Sequence, residues 1–253
     1  MKESLDKKDS TEGLPLKIGE WLGTYREVVK TCFGSRIWFL GLQGSYGRGE
    51  ATKESDIDVV LILDKLTGED LISYRHLLDT MPNREKICGF VSGREELLDW
   101  EPSDLFQFYY DTTPIVGSLD SILEKIRRDD IWRAVHTGAC NVYHLCAHNL
   151  IHEKDLGVLR GLYKSAAFIL QAAAFLQTGN YARQKTELMR LLRLEDQTIL
   201  EAGIRLKEKE GELSGEELEE SSLQLLEWAS GWIRRCGQKR NDKSHGMPKE
   251  GTL

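Results

Sequence analysis

The chain has 253 residues, 40% hydrophobic and 30% charged, with 34 Lys plus Arg against 41 Asp plus Glu and a formal net charge of −7. A chain of this size and composition can bury a substantial core, which excludes global disorder, and its length points to two modest domains. The acidic balance lacks the basic footprint of a protein that displaces counterions from long nucleic acid, and it favours encounter with cationic ligands instead.

After a polar leader, Ile18 to Cys32 carries apolar residues near the helical period and predicts an amphipathic helix covering one face of a sheet. Ile37–Leu42 (IWFLGL) predicts a buried strand that enters a tight glycine-rich turn over 43–50, and Val59–Leu63 (VVLIL) predicts a second strand. Leu71–Leu78 reads as a helix, Ile87–Val91 as a third strand, Glu95–Trp100 as a short helix and Leu105–Tyr110 (LFQFYY) as a fourth strand. From Leu119 onward the strand signal vanishes. Helical spacing dominates through 131–152, 156–177, 182–194 and 223–236, so the second half reads as a helical bundle.

Between the last two predicted helices, Glu208 to Glu220 holds seven glutamates and two glycines, which suits a solvated helix end and loop. Residues 238–253 are expected to form a flexible tail. The five cysteines (Cys32, Cys88, Cys140, Cys146, Cys236), odd in number and without C-x-x-C pairs, fit a reducing cytoplasm. The start shows no apolar signal region, and the longest apolar run, 166–176, is too short to span a bilayer, so no membrane partner is expected.

The chemistry concentrates in Gly44-Ser45-Tyr46-Gly47-Arg48-Gly49, followed after six residues by Asp56-Ile57-Asp58 at the head of the second strand. A strand feeding a glycine-rich turn presents backbone N–H groups that phosphate oxygens can approach closely, because glycine has no Cβ and tolerates positive φ. Ser45 adds a hydroxyl. The strand period of two places Asp56 and Asp58 on one face, where two hard oxygen donors beside a phosphate cradle suit Mg²⁺. Arg48 is a plausible phosphate partner or a solvated surface charge, and Ser55 either a cap of the strand or a ligand-orienting hydroxyl.

The string GSYGRGEATKESDIDVVLIL resembles the signature of nucleotidyltransferases of the DNA polymerase β superfamily. The resemblance implies an α+β fold: an N-terminal mixed β-sheet nucleotidyltransferase domain with flanking helices, followed by an α-helical bundle domain. It further implies that Gly44 and Ser45 hold the triphosphate of ATP or another NTP, that Gly47 permits the turn, and that Asp56 and Asp58 hold Mg²⁺, two ions in all. A nucleoside monophosphate, AMP above all, would pass to a hydroxyl with release of pyrophosphate. The segment 104–126 is similar to the stretch leaving the catalytic domain in aminoglycoside nucleotidyltransferases of the kanamycin-modifying kind. That likeness implies a small, hydroxyl-bearing and cationic acceptor and a second domain, 129–237, that forms the substrate cleft against a first domain of 15–128.

The family often adds a third carboxylate from a neighbouring strand, and here that strand, Lys86 to Val91, contains no acid. Glu85, Asp104 and Asp111 are the substitutes in reach of the sequence, and a catalytically weakened nucleotide-binding module or a protein-nucleotidylating enzyme are the alternative readings. Cys140, His144, His148 and His152 recur every four residues along one helix face. His148 is the candidate general base; the competing reading places His144 and His148 in the interior and only His152 in solvent. Lys185, just after the turn Thr178-Gly179-Asn180-Tyr181, is a further candidate triphosphate contact.

Overall fold

The computed structural model describes residues 16–209, 211 and 213–245, with side chains through Arg240. By its internal contacts the chain divides into two compact units: residues up to Trp100 with Asp111–Ser121, and Glu101–Tyr110 with the residues from Ile122. The polar leader at 1–15 and the end of the predicted tail, 246–253, lie outside the described residues.

The first unit is a four-stranded mixed sheet with helices on it. Strands β1 (Ile37–Leu42), β2 (Ile57–Leu63), β3 (Ile87–Gly93) and β4 (Thr113–Val116) stand in the order β3-β2-β1-β4. β1 runs antiparallel to both β2 and β4, and β2 runs parallel to β3. The parallel step needs a crossover, which helix α3 (Gly68–Asp79) supplies; the short helices α4 (Arg94–Leu98) and α6 (Asp120–Leu123) follow β3 and β4.

Helix α1 (Ile18–Phe33) turns Trp21, Tyr25, Val29 and Phe33 inward at four-residue steps. They meet Leu40 and Leu42 of β1, Val59, Leu61 and Leu63 of β2, and Tyr74 and Leu78 of α3 in one buried cluster. The phenol oxygens of Tyr25 and Tyr74 lie 2.6 Å apart inside it, and burial pushes the Tyr74 hydroxyl up to about 12.

The fourth strand is not the predicted one. LFQFYY lies within helix α5 (Pro102–Asp111), and β4 follows it. Pro102 opens the helix at a position where a missing N–H costs nothing. Phe106 and Tyr110, one helical turn apart, pack on Phe175 at 5.0 and 5.2 Å between ring centroids. A short run of aromatics satisfies strand and helix templates alike, and the helix wins where apolar partners line up at i and i+4. β4 accepts Pro114 because, among the described residues, it is an edge strand bonded to β1 alone.

The second unit is helical. Helix α7 (Arg128–His148) buries Ile131, Val135, Ala139, Val142 and Cys146 along one stripe, and a wider π-type turn, Asn149–Glu153, extends it. α8 (Leu156–Thr178) is its buried partner, with the alanines of 166–174 in the core. The predicted helix 182–194 is shorter, α9 (Lys185–Leu191). A further helix, α10 (Leu194–Glu208), was hidden by its charged residues, although Ile199, Leu200 and Leu206 are buried. Helix α11 (Gly215–His245) extends through the first part of the predicted tail, so residues 238–245 are helical. Its Trp228 and Trp232 donate indole N–H groups to one carboxylate oxygen of buried Asp196, at 2.8 and 3.2 Å. Among the described residues no helix is long and apolar enough to cross a membrane.

Thr67 caps α3 in a reciprocal box: its Oγ1 accepts from Asp70 N–H, and the Asp70 carboxylate accepts from Thr67 N–H at 2.9 Å. The Arg36 guanidinium donates to both oxygens of that carboxylate, at 2.7 and 2.9 Å, and holds the acid well below the usual carboxylate range. A depressed carboxyl contributes stability above its unfolded value of about 4 and loses it as pH falls towards the depressed folded value. Asp70→Asn is therefore expected to lower the urea midpoint at pH 7 relative to the unaltered chain, and the difference should shrink steadily below about pH 4; a difference that stays constant down to pH 2 would contradict it.

Candidate active site

The candidate site is built at the joint between β1, the short helix α2 (Gly44–Arg48) and β2. Asp58 is the second residue of β2 and half-buried, Asp56 precedes the strand and is exposed, and Ile57 between them is fully buried. Strand alternation thus puts both carboxylates on the face opposite Ile57. Gln43 N–H donates to the Asp58 carbonyl at 2.8 Å, pinning the end of β1 against the start of β2.

Gly44 has φ +67°, and a Cβ built on it would collide with the Asp58 carboxylate, standing 2.8 Å from its Cγ. Two independent reasons, left-handed backbone and lack of space, therefore require glycine there. The second turning glycine is Gly49, at φ 72° in the left-handed cap of α2, whose N–H bonds back to Ser45 and Tyr46 carbonyls. Gly47, expected to permit the turn, instead lies inside α2 and donates its N–H to the Gln43 carbonyl at 3.1 Å. The glycine-rich stretch is thus one turn of helix bracketed by two glycines. Its leading N–H groups have no acceptor four residues back within the helix, and half-buried Ser45 stands among them.

Arg48 is neither solvated nor open to a phosphate. Its Nη1 donates to both oxygens of Asp111, at 3.0 and 2.8 Å, and its Nε to Glu50 at 3.3 Å. Burial opposes its charge, but the two carboxylates outweigh that and raise its pKa. Asp111, one of the three substitutes for a third acid, is held in this pair. The pair ties the end of α2 to the segment before β4, where Gln43 Nε2 also donates to Thr112 Oγ1 at 2.7 Å and Thr113 Oγ1 to the Gly47 carbonyl at 3.3 Å. The polar triplet Asp111-Thr112-Thr113 after an apolar run was the signal for this support, and sequence reasoning weighed only its first residue.

Ser55 is buried, and its Oγ accepts from Thr52 N–H at 2.9 Å. The hydroxyl closes the turn that delivers Asp56 to the strand. His148 and Lys185 lie in the helical unit, His148 at the end of α7 and Lys185 at the start of α9. His144 and His148 are exposed and not interior; His148 Nδ1 stands 3.4 Å from Glu153 Oε1, with the His152 ring 4.8 Å away. Among the described residues no group of three or more His, Cys, Asp or Glu side chains is arranged to hold a metal ion.

The donors present fit magnesium in number and kind. Mg²⁺ is commonly held by one or two carboxylates, with water and substrate phosphates completing its octahedron, and the lack of a side chain at Gly44 lets the Asp58 carboxylate lie against the start of α2. Gly44→Ala is expected to weaken nucleotide binding at least about tenfold, a change of about 1.4 kcal/mol, because either the left-handed backbone or the Asp58 carboxylate must move; calorimetric titration with Mg-ATP measures it, and undiminished affinity would contradict it.

A family model for the nucleotidyltransferase domain matches residues 24–116, which contain this joint. A protein of Methanocaldococcus jannaschii, provisionally named a protein adenylyltransferase, is 33% identical over 73 residues, 29% of this chain and 68% of that one. The crystal structure of spectinomycin adenyltransferase AAD(9) from Enterococcus faecialis, with ATP and spectinomycin, superposes with a TM-score of 0.53 at 14% identity. It covers 84% of this chain and 99% of that one, a likeness of fold. On the family model and this relative, the chain belongs to the nucleotidyltransferase-domain family and is a nucleotidyltransferase.

Proposed function

We propose that the chain transfers AMP from ATP to a hydroxyl of a small cationic acceptor, an aminoglycoside-like antibiotic, with release of pyrophosphate. The observation that carries the reading is the packing of side-chain-free Gly44 against Asp58 at the head of β2, which sets a phosphate-accessible helix turn beside a carboxylate pair. Asp56 and Asp58 hold the metal, and the leading N–H groups of α2 with the Ser45 hydroxyl face the triphosphate. Arg48, fixed by Asp111 and Glu50, keeps α2 in place, and Ser55 fixes the backbone ahead of Asp56. Lys185 is the helical unit's candidate for a triphosphate contact.

In the reaction the acceptor oxygen attacks the α-phosphorus, the bond to pyrophosphate breaks in line with it, and the hydroxyl proton goes to a base. Asp56 and Asp58 would hold magnesium, two ions in all, which when bound would align the attacking oxygen and neutralise charge on the phosphates. His148, exposed at the end of α7, is the proposed base. The acceptor class follows from the net charge of −7, which attracts polycations, together with the spectinomycin named for the AAD(9) structure. A reducing cytoplasm suits the five free cysteines.

A protein acceptor is the second reading, favoured by the relative from Methanocaldococcus jannaschii. Labelled ATP distinguishes the two: label on an added aminoglycoside supports the first, label on protein the second. Asp56→Asn/Asp58→Asn is expected to abolish Mg-dependent ATP binding in calorimetry and pyrophosphate release with it. Metal-dependent binding that survives the double change would sink the site assignment, and binding by the unaltered chain without pyrophosphate release for any acceptor would leave a nucleotide-binding module. His148→Ala should lower turnover about a hundredfold or more, the usual worth of a general base, with ATP affinity unchanged; unchanged turnover removes His148 from the mechanism.

A further inference from the structure

Gln171 is the one polar residue in the apolar run 166–176, and it is buried within α8, 5% exposed. A buried amide costs free energy unless its donors and acceptors are met, so packing alone would favour an apolar residue at this position. Gln171 meets its whole capacity, two N–H groups and two lone pairs. Its Nε2 donates to the carbonyls of Ala182 at 2.9 Å and Arg183 at 3.3 Å. Its Oε1 accepts from the Tyr181 hydroxyl at 3.3 Å and from Gln107 Nε2 at 3.4 Å.

Apart from Gln107, these partners lie in the stretch 181–183, which joins α8 to α9 and has no helix or strand of its own. Carbonyls there need donors from elsewhere, and one side-chain amide supplies two of them. The stretch is clamped from a second side as well. The Tyr181 ring stacks on Tyr110 at 4.7 Å between centroids and 18° between planes, and the Phe106 ring meets it edge-on at 5.6 Å. Lys185 follows two residues after Arg183, as the first residue of α9. Its ammonium rides on a flexible four-carbon stem, so the reach of that charge is set by where the backbone holds its Cα.

We propose that Gln171 is a positioning residue for the nucleotide: by fixing the backbone of 181–183 it holds Lys185 where the ammonium meets the triphosphate. It acts through that backbone and not by touching the nucleotide. The inference rests on the nucleotidyl-transfer reading and on Lys185 as its triphosphate contact.

The test is calorimetric titration of the full chain with the non-transferable analogue α,β-methylene-ATP in the presence of Mg²⁺. It is run on the unaltered protein, Gln171→Met, Lys185→Ala and the double variant, each first checked for a cooperative thermal transition. Gln171→Met keeps the length of the side chain and loses the amide. Lys185→Ala should weaken binding on the order of tenfold, as loss of a charge-assisted contact does, and Gln171→Met by a similar factor. The double variant should bind about as weakly as Lys185→Ala alone, because both changes remove one contact. An amide with a merely structural role would lower the thermal midpoint and leave the affinity where it was, so a folded Gln171→Met with undiminished affinity overturns the proposal. Losses that multiply in the double variant overturn it too. If Gln171→Met does not fold, Tyr181→Ala, which frees the same stretch from a half-buried position, takes its place, and undiminished affinity there is equally fatal. Undiminished affinity in Lys185→Ala removes the triphosphate contact and the proposal with it, while the Asp56/Asp58 site stands. An unaltered chain that does not bind the analogue fails the nucleotidyl-transfer reading itself.

Discussion

The arrangement depends on one exclusion: nothing larger than a hydrogen can stand at Gly44, because the Asp58 carboxylate occupies the space a Cβ would need. That contact and the bond from Gln43 N–H to the Asp58 carbonyl bring the end of one strand and the start of another together across 14 intervening residues. The carboxylate and the leading turn of α2 are thereby neighbours by construction. The far end of α2 is fixed as firmly, by the Arg48 guanidinium on Asp111 and the Thr113 hydroxyl on the Gly47 carbonyl. A five-residue helix has almost no stability of its own; this one persists because both of its ends are bonded to strands.

The two units answer different physical requirements. In the sheet unit β2 alternates buried Ile57 with half-buried Asp58 before becoming fully buried from Val59 to Leu63. The helical unit is governed by packing. Its helices interlock through alanines on α8 and the aromatic group of Phe106, Tyr110, Phe175 and Tyr181. Among its buried carboxylates, Asp196 is satisfied by two indole N–H groups, as burial of a charge requires. His144 and His148 are outward because the opposite face of α7 carries Val135, Ala139, Val142 and Cys146.

The sequence by itself determined the parts whose signal is local. Ile37–Leu42 is a strand with the expected bounds, β2 begins only two residues earlier than expected, and the Gly-Ser and Asp-x-Asp pair was legible because a glycine requirement and a strand alternation are both written in consecutive residues. It did not determine which glycines turn the chain, since Gly44 and Gly49 rather than Gly47 take positive φ once α2 is fitted between two strands. Nor did it reveal that LFQFYY is helical, that α10 exists, or that Arg48 faces Asp111. Each of these turns on a partner more than ten residues away: Phe175 for Phe106, the α8 face for Ile199 and Leu200, Asp111 for Arg48. Tertiary structure decided them because the free energy of burying an aromatic ring or pairing a half-buried charge exceeds the small differences in local propensity by which a sequence pattern separates strand, helix and loop.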